Sequence, residues 1–385
     1  MKLEKKLFSN FDFFIVIIVL ALVVISVLMI GNATGNPEVS KEEGWRTLLA
    51  NMRLEYPLKT IMWFFIGLAA AVVVMLFDYH AYGEASRIIY WGTVLMLGFV
   101  LVVGSVSNGT KGWLTENGSI QPSELAKLAL IITLAKHLSK KPEGIRTIKD
   151  FVFTLAMVGV PLVMIFLQPD FGTSLVYMFI TLVLLYVSGT NWKLMVGLIV
   201  LAAVVAIPVW EVLPKTQKTR FLAVFDPASV SEAALYNVKQ SVTAIGSGQF
   251  SGRGFFAPGS FCQLDYVPEK HTDFIFSILG ETWGFVGTIF ILVLYTLLLV
   301  RLLILSRRAF DRFGSYIIIG VMAMFAFHVF ENVGMTLGVM PCTGIPLPFM
   351  SYGGSSMLTN MIAIGLVENV CMRRRYGMFR QSEAF

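Results

Sequence analysis

Ten separate runs of apolar residues, each near the length of a bilayer crossing, constrain this chain more than any other feature. A helix needs about 20 mostly apolar residues to span the hydrocarbon core, where every backbone N–H and C=O must be satisfied within the segment. Such runs cover about Phe13–Ile30, Thr60–Phe77, Ile88–Val106, Glu124–Leu138, Phe151–Leu167, Ser174–Val187, Leu194–Trp210, Asp273–Leu305, Ser315–Val339 and Ser355–Val370. The eighth is too long for one straight crossing, so it is expected to tilt, bend or project from the bilayer. The first follows Lys2, Lys5 and Lys6 as in a signal peptide. Its apolar run is too long for one, and Gly31–Gly35 offers no small-x-small cleavage site, so it is read as a span. Only 14% of the residues are charged and 56% are hydrophobic, against about 25% and 45–50% in soluble domains. A soluble enzyme, a disordered chain and a fibrous chain are excluded. The expected fold is an all-α polytopic membrane protein, one transmembrane domain over residues 1–385 with ten transmembrane helices.

Ten crossings place both termini on one side. That side carries 18 of the 30 Lys and Arg residues, in short loops such as Ser139–Lys149 and Ser306–Gly314, while the shorter loops opposite carry five. Six more lie in one long loop, which the positive-inside rule does not count, and Lys127 sits within a span. Both termini are therefore expected in the cytoplasm. The net charge of +6 is then a topology signal, and nucleic acid is not expected as a partner. Cys262, Cys342 and Cys371 are scattered and odd in number, which implies neither a disulfide framework nor a metal knuckle. The Asn-x-Ser/Thr triplets at Asn32, Asn108 and Asn117 are read as chance matches.

The outer side carries four loops dense in Pro, Gly and polar residues: Asn108–Ser123, Gln168–Thr173, Glu211–Thr272 and Pro341–Ser355. The third is the long extracellular loop between spans 7 and 8. It far exceeds the usual connection length, and its aromatic residues, among them Phe221, Tyr236, Phe255 and Tyr266, favour an ordered, surface-lying structure. Chemistry is expected at the outer face.

Four polar clusters mark that face. In the first, Gln121-Pro122-Ser123-Glu124 precedes Lys127. Pro122 suits a first helical turn, and the helix dipole favours Glu124 there. Lys127, three residues on, can pair with Glu124. The pair can simply carry a lysine into the membrane, or it can wall a cavity, where intramembrane ionisable groups usually point. The second, Gln168-Pro169-Asp170-Phe171-Gly172-Thr173-Ser174, joins two spans tightly, and Asp170 can be a plain N-cap. The third runs from Val267 to Phe274; five consecutive polar residues, Glu269 to Asp273, exceed what capping needs. Glu281, eight residues on, falls near the Asp273 face of a helix; it is either a site residue or a paired structural acid. The fourth runs from Gly344 to Ser356. Pro346 and Pro348 force extended backbone, which at membrane depth survives only if buried in protein or lining a cavity. Its Gly-rich turn offers N–H groups to an anion, and no GxxxxGK[ST] pattern points to a nucleotide.

At these residues the chain resembles the SEDS family of bacterial cell-wall polymerases (shape, elongation, division and sporulation), nearest its RodA branch, beside FtsW and SpoVE. The motifs include Gln121–Glu124 with Lys127, Gln168–Thr173, Arg220 with Asp226-Pro227, and Tyr236 with Gln240-Ser241 and Ala244–Gly248. They continue through Pro268-Glu269, His271–Phe276, Asn332–Met335 and Pro346–Ser356, and the likeness covers essentially the whole chain. Two departures stand out. The family's basic residue directly before the outer-loop tryptophan is absent, since Gly112 precedes Trp113 and Lys111 is one position earlier. The second acid of a frequent Gly-Glu-Glu is replaced, since Thr282 follows Glu281.

The resemblance implies a peptidoglycan glycosyltransferase of the bacterial cell membrane, its active face extracellular. The growing glycan on undecaprenyl pyrophosphate is the donor, and the 4-hydroxyl of lipid II attacks its anomeric carbon. It implies Asp273 as the catalytic acid–base residue. It implies substrate contacts from Trp113, Glu124, Lys127, Asp170, Arg220, Gln240, Ser241, Lys270, His271, Thr272, Glu281, Ser351, Tyr352, Gly353 and Gly354. Pyrophosphate is already a good leaving group, so a base, positioning and positive charge suffice; Lys127, Lys111, Arg220, Lys239 and Lys270 are the candidate phosphate ligands. No cofactor is required by the pattern. A divalent cation, Mg²⁺ or Mn²⁺, bridging Asp273 and pyrophosphate fits the same chemistry. The implied partners are lipid II, the nascent strand, a class B penicillin-binding protein and membrane proteins of the elongation complex. Two alternatives stay open: a flippase or transporter, which should hold its charges near the midplane, and a division or sporulation paralogue with the same chemistry.

Overall fold

The computed structural model describes residues 10–35, 51–107, 110–114 and 120–374. Asn108 and Asn117 lie outside them. Each of the ten expected spans is a helix: α1 (Phe13–Thr34), α2 (Glu55–Leu76), α4 (Ser86–Val103), α5 (Pro122–Ser139), α6 (Ile148–Leu167), α7 (Phe171–Val187), α8 (Trp192–Val212), α11 (Ile275–Arg307), α12 (Arg312–Thr336) and α13 (Gly354–Arg373). A short helix, α3 (Tyr79–Glu84), joins α2 to α4, and a small antiparallel hairpin of β1 (Ser105–Ser107) and β2 (Thr110–Trp113) follows α4. Eight of the ten are long and apolar enough to cross a membrane. The other two differ for identifiable reasons. Helix α7 has 17 residues, and α5 carries Glu124, Lys127 and Lys136 within its 18.

Caps follow from the sequence. Asp12, Thr147, Asp170 and Asp311 each accept the N–H three residues on, at α1, α6, α7 and α12, satisfying one of the orphan donors of each helix start. Pro122 stands in the first turn of α5. Helices α12 and α13 are largely buried, whereas α8 buries none of its residues and forms the rim. The most extensive helix pair is α2 with α13. Small residues let the backbones meet: a Cβ on Gly365 would stand 2.8 Å from the Ala71 Cα, and one on Gly67 would strike Met361.

The loop between α8 and α11 is ordered, with helices α9 (Lys215–Phe225) and α10 (Glu232–Ser247). Its last part is strapped to a break in α11. Gly284 sits at φ 64°, ψ −158°, a conformation open to glycine alone, and an added Cβ would be 2.3 Å from the Gly252 N. The break frees backbone groups, and the loop takes them up. Arg253 N and Gly254 N donate to the carbonyls of Glu281 and Thr282, while Phe285 N and Val286 N donate to those of Gln249 and Phe250. Of the tilt, bend or projection expected of the eighth run, the helix shows a bend at Gly284.

Gly365→Val should separate α13 from α2 at a cost of about 1–3 kcal/mol. The unfolding midpoint in detergent should drop, with Gly159→Ala, where a Cβ meets nothing within 4 Å, as the control that does not move it in the same way.

Candidate active site

Residues 341–353 between α12 and α13 form no helix, and most of Ile345–Ser351 is buried. Extended backbone there needs donors from elsewhere, and three helices supply them. Asn332 Nδ2 donates to Ile345 O at 2.8 Å, and the His328 ring Nδ1 lies 3.2 Å from Pro346 O. Tyr295 O–H donates to Pro348 O and Ser26 O–H to Met350 O, both at 2.6 Å. Leu347 N donates to Ser351 Oγ at 2.8 Å, and Leu347 O accepts from Met350 N and Ser351 N. Ser351 is thus part of the turn's own bonding. Trp63 fills the space beside Gly354, where a Cβ would be 2.4 Å from its ring.

His328 connects this segment to the first cluster. With Nδ1 donating to Pro346 O, its Nε2 is left as an acceptor, and Lys127 Nζ lies 3.0 Å away. Lys127 also donates to Glu124 Oε1 at 2.7 Å, and the lysine is 1% exposed. The charged pair is therefore enclosed, and among the described residues Glu124 Oε2 has no hydrogen-bond partner. Asp170 binds the same region from α7. Its Oδ2 accepts from Gln121 Nε2 at 2.8 Å and Ser123 Oγ at 2.9 Å, while Oδ1 caps Thr173 N at 3.1 Å. Both readings of Asp170 hold at once, an N-cap and a cluster member. Glu124, Lys127, Asp170, His328 and Gly344 line a cavity of about 40 Å³, room for a few waters.

Gly344, on the wall of this cavity, lies beside Asp273. At φ 75° it occupies left-handed backbone, and a Cβ there would lie 3.4 Å from Asp273 Oδ2. Asp273 precedes α11, partly buried, with its backbone carbonyl held by Asn332 Nδ2 at 2.9 Å. Burial pushes its carboxyl up to about 6, the neighbouring Glu269 charge adds to the rise, and the Arg220 guanidinium opposes it. Nearby, burial and the Asp273 charge push the Cys342 thiol up to about 12, so it is unreactive as a nucleophile. On the other side, the His271 ring packs between Tyr56 and Tyr352, with centroids 4.9 and 5.6 Å away, and burial lowers its pKa.

Several expected site residues serve the scaffold. Glu281 accepts Phe261 N at 2.7 Å and Cys262 N at 2.9 Å, clamping the loop onto α11; the paired structural reading is the one its contacts describe. Ser241 Oγ contacts Ser277 Oγ and donates to Thr336 O, both at 2.6 Å, joining α10 to α11 and α12. Lys270 Nζ is held by Cys262 O and Asp265, each at 2.6 Å. Thr272 donates to Glu269 at 3.1 Å. Lys111 Nζ contacts Val102 O at 3.4 Å. Trp113 lies on β2 with its Nε1 buried and without a hydrogen-bond partner among the described residues. Gln240 and Lys239 lie on α10, half-buried and exposed. His328, Glu331 and Tyr56 were not among the expected residues, yet His328 meets Lys127 directly and Glu331 reaches the cavity wall through Thr343, which donates to it at 2.8 Å. Their signal was present: His328, Glu331 and Asn332 fall at i, i+3 and i+4 on one helical face. Asn32, the chance triplet, is 2% exposed and holds Thr282, Phe256 N and Gln263. Among the described residues no group of three or more His, Cys, Asp or Glu could hold a metal ion. Asp273 alone does not make a metal site, so a divalent cation there would depend on substrate phosphates.

A sequence profile described as "Cell cycle protein", that of the FtsW, RodA and SpoVE proteins, matches residues 11–376. The chain belongs to this family. It is accordingly a glycosyltransferase and a multi-pass membrane protein. It is 34% identical to the peptidoglycan glycosyltransferase MrdB of Escherichia coli K12 over 80% of this chain and 84% of that one. It is 30% identical to RodA of Treponema pallidum over 95% and 98%, and 33% identical to stage V sporulation protein E of Bacillus subtilis over the same shares. Its fold matches a chain solved in work on the structural coordination of polymerization and crosslinking by a peptidoglycan synthase complex, with TM-score 0.77 and 30% identity over 95% and 98%. The rod-shape-determining protein RodA of Thermus thermophilus matches with TM-score 0.68 and 28% identity over the same shares.

The enclosed Glu124–Lys127 pair gives a prediction that separates fold from function in this SEDS enzyme. Lys127→Met should cost about 3–5 kcal/mol by stranding a buried carboxylate. Adding Glu124→Gln should restore most of the thermal stability without restoring glycan synthesis.

Proposed function

We propose that the protein polymerises peptidoglycan strands from lipid II, with the glycan on undecaprenyl pyrophosphate as donor and the lipid II 4-hydroxyl as acceptor. The observation that carries this reading is Asp273, a partly buried carboxylate raised to about 6 with the Arg220 charge opposing the rise, set against Gly344 on the cavity wall. A base whose pKa lies near the working pH is suited to take the hydroxyl proton. The ordinary aspartate value of about 3.9 would make a much weaker one. As the sugar oxygen attacks, the carrier pyrophosphate leaves with the anomeric bond electrons, and Arg220 is placed to offset the developing charge. Tyr56, His271 and Tyr352 give an aromatic surface beside the base. The cavity is too small for a saccharide, so the lipid-linked sugars lie over Asp273, with Lys127, Glu124 and His328 fixing the floor of the site.

In this reading all ten apolar helices cross the membrane, both termini are cytoplasmic, and Asp273 faces outward. The positive-inside count supports it. The polar clusters gather at the helix ends near Asp170 and Asp273, which favours an enzyme over a transporter with midplane charges. A class B penicillin-binding protein is the proposed partner, because the matching structure concerns polymerization coordinated with crosslinking. The cellular role is proposed as elongation. Identity to MrdB and to stage V sporulation protein E is nearly equal, so depletion separates the roles: spheres for elongation, filaments for division.

Purified wild type given lipid II should make glycan strands on a gel, and Asp273→Ala should lose at least about 100-fold. Equal output from both would remove Asp273 from its role. The wild-type rate should rise with pH through about 6 and level off above it, because only the ionised carboxylate accepts a proton. Glu269→Gln removes a repelling charge and should move that midpoint down. Arg220→Gln removes an attracting one and should move it up. Rates fitted across pH for the three proteins check both signs.

A further inference from the structure

The end of α5 remote from Asp170 carries a second concavity, between α4, α5 and the start of α6. At 1.5 Å per residue, Lys136 lies about 20 Å along α5 from Ser123. The concavity measures about 450 Å³ and is lined by the cations Arg87, Lys136 and Lys140 and the aromatic rings of Tyr90, Trp91 and Phe153. None of its lining residues is acidic.

A surplus of basic residues at this end of the bundle requires only solvated or neutralised side chains, and three other cations there are neutralised. Lys141 pairs with Asp150 at 2.5 Å, Arg301 with Asp12 at 2.6 Å, and Arg373 with Asp78 at 3.5 Å. Among the described residues none of the three groove cations is in an ion pair, as is also true of Lys193 and Arg308, but these three line one concavity, and Lys136 lies over the Phe313 ring at 5.2 Å. Three like charges around one concavity repel each other unless an anion sits among them. The remaining walls identify the rest of the occupant. Trp91 and Phe153 are each 61% exposed on helices that face hydrocarbon, and Tyr90 and Trp91 suit the headgroup level. An anionic head with an apolar chain matches both halves, as basic pockets between membrane helices match acidic lipids.

We propose that this groove binds an anionic phospholipid, with its phosphate among Arg87, Lys136 and Lys140 and an acyl chain along Trp91 and Phe153. Three cations suit two phosphates better than one, so cardiolipin should exceed phosphatidylglycerol.

Native mass spectrometry of the intact protein tests this with cardiolipin, phosphatidylglycerol, phosphatidylcholine and undecaprenyl phosphate as probes. Cardiolipin should be retained at least about tenfold better than phosphatidylcholine, and Arg87→Gln/Lys140→Gln should weaken that retention roughly 30-fold. Arg87→Lys/Lys140→Arg, which keeps the charges, should retain it. Lys193→Gln/Arg308→Gln, which removes two exposed charges from the same end, should bind as wild type. Unfolding midpoints in phosphatidylcholine nanodiscs establish that each variant is folded. Equal retention of acidic and zwitterionic lipids, or equal loss in the Lys193/Arg308 control, overturns the site. Arg87-dependent retention of undecaprenyl phosphate alone overturns the phospholipid as its occupant.

Discussion

A non-helical stretch of backbone buried inside a helical membrane protein is the constraint around which the rest is arranged. Each unmet carbonyl in such a place costs about 1–3 kcal/mol. Residues Ile345 to Met350 meet the requirement with side chains from α1, α11 and α12: Ser26, Tyr295, His328 and Asn332. Two of these donors also reach the candidate site. Asn332 holds the Asp273 carbonyl, and His328 faces Lys127. The bonds that make the irregular segment tolerable are therefore the bonds that fix Asp273 and the buried cation relative to each other.

The second arrangement is the exchange of backbone bonds between the outer loop and the break in α11. A glycine at positive φ opens the helix, and four loop residues close its hydrogen bonding again. Glu281 then ties two further N–H groups of the loop to the same helix. The loop is thereby fixed to the helix that Asp273 introduces. A carboxylate at a helix entrance gains precision from such support, and in a reacting group a shift of about 1 Å can cost 10²-fold in rate.

Much of this was legible in the chain. The apolar runs became helices, the over-long eighth became a bent one, and Pro122 and Asp170 opened helices as their chemistry requires. Glu124 and Lys127 paired because three residues on a helix bring side chains together, which is a local fact. For Glu281, helical spacing gives the face but not the partner, and the partner is loop backbone. Lys270 likewise has the right charge in the right cluster, but a carbonyl and Asp265 occupy it.

Amphiphilicity and spacing by themselves determined that this is a helical membrane protein with polar chemistry gathered at one set of helix ends. Those properties depend on residues a few positions apart, where chain connectivity fixes geometry. Only the tertiary structure decided that His328, 201 residues from Lys127, completes its surroundings, that Gly344 lies against Asp273, and that Arg220 and Glu269 pull its carboxyl in opposite directions. Such pairings are set by how helices pack, and electrostatic shifts follow distance and burial in space, neither of which is encoded by separation along the chain.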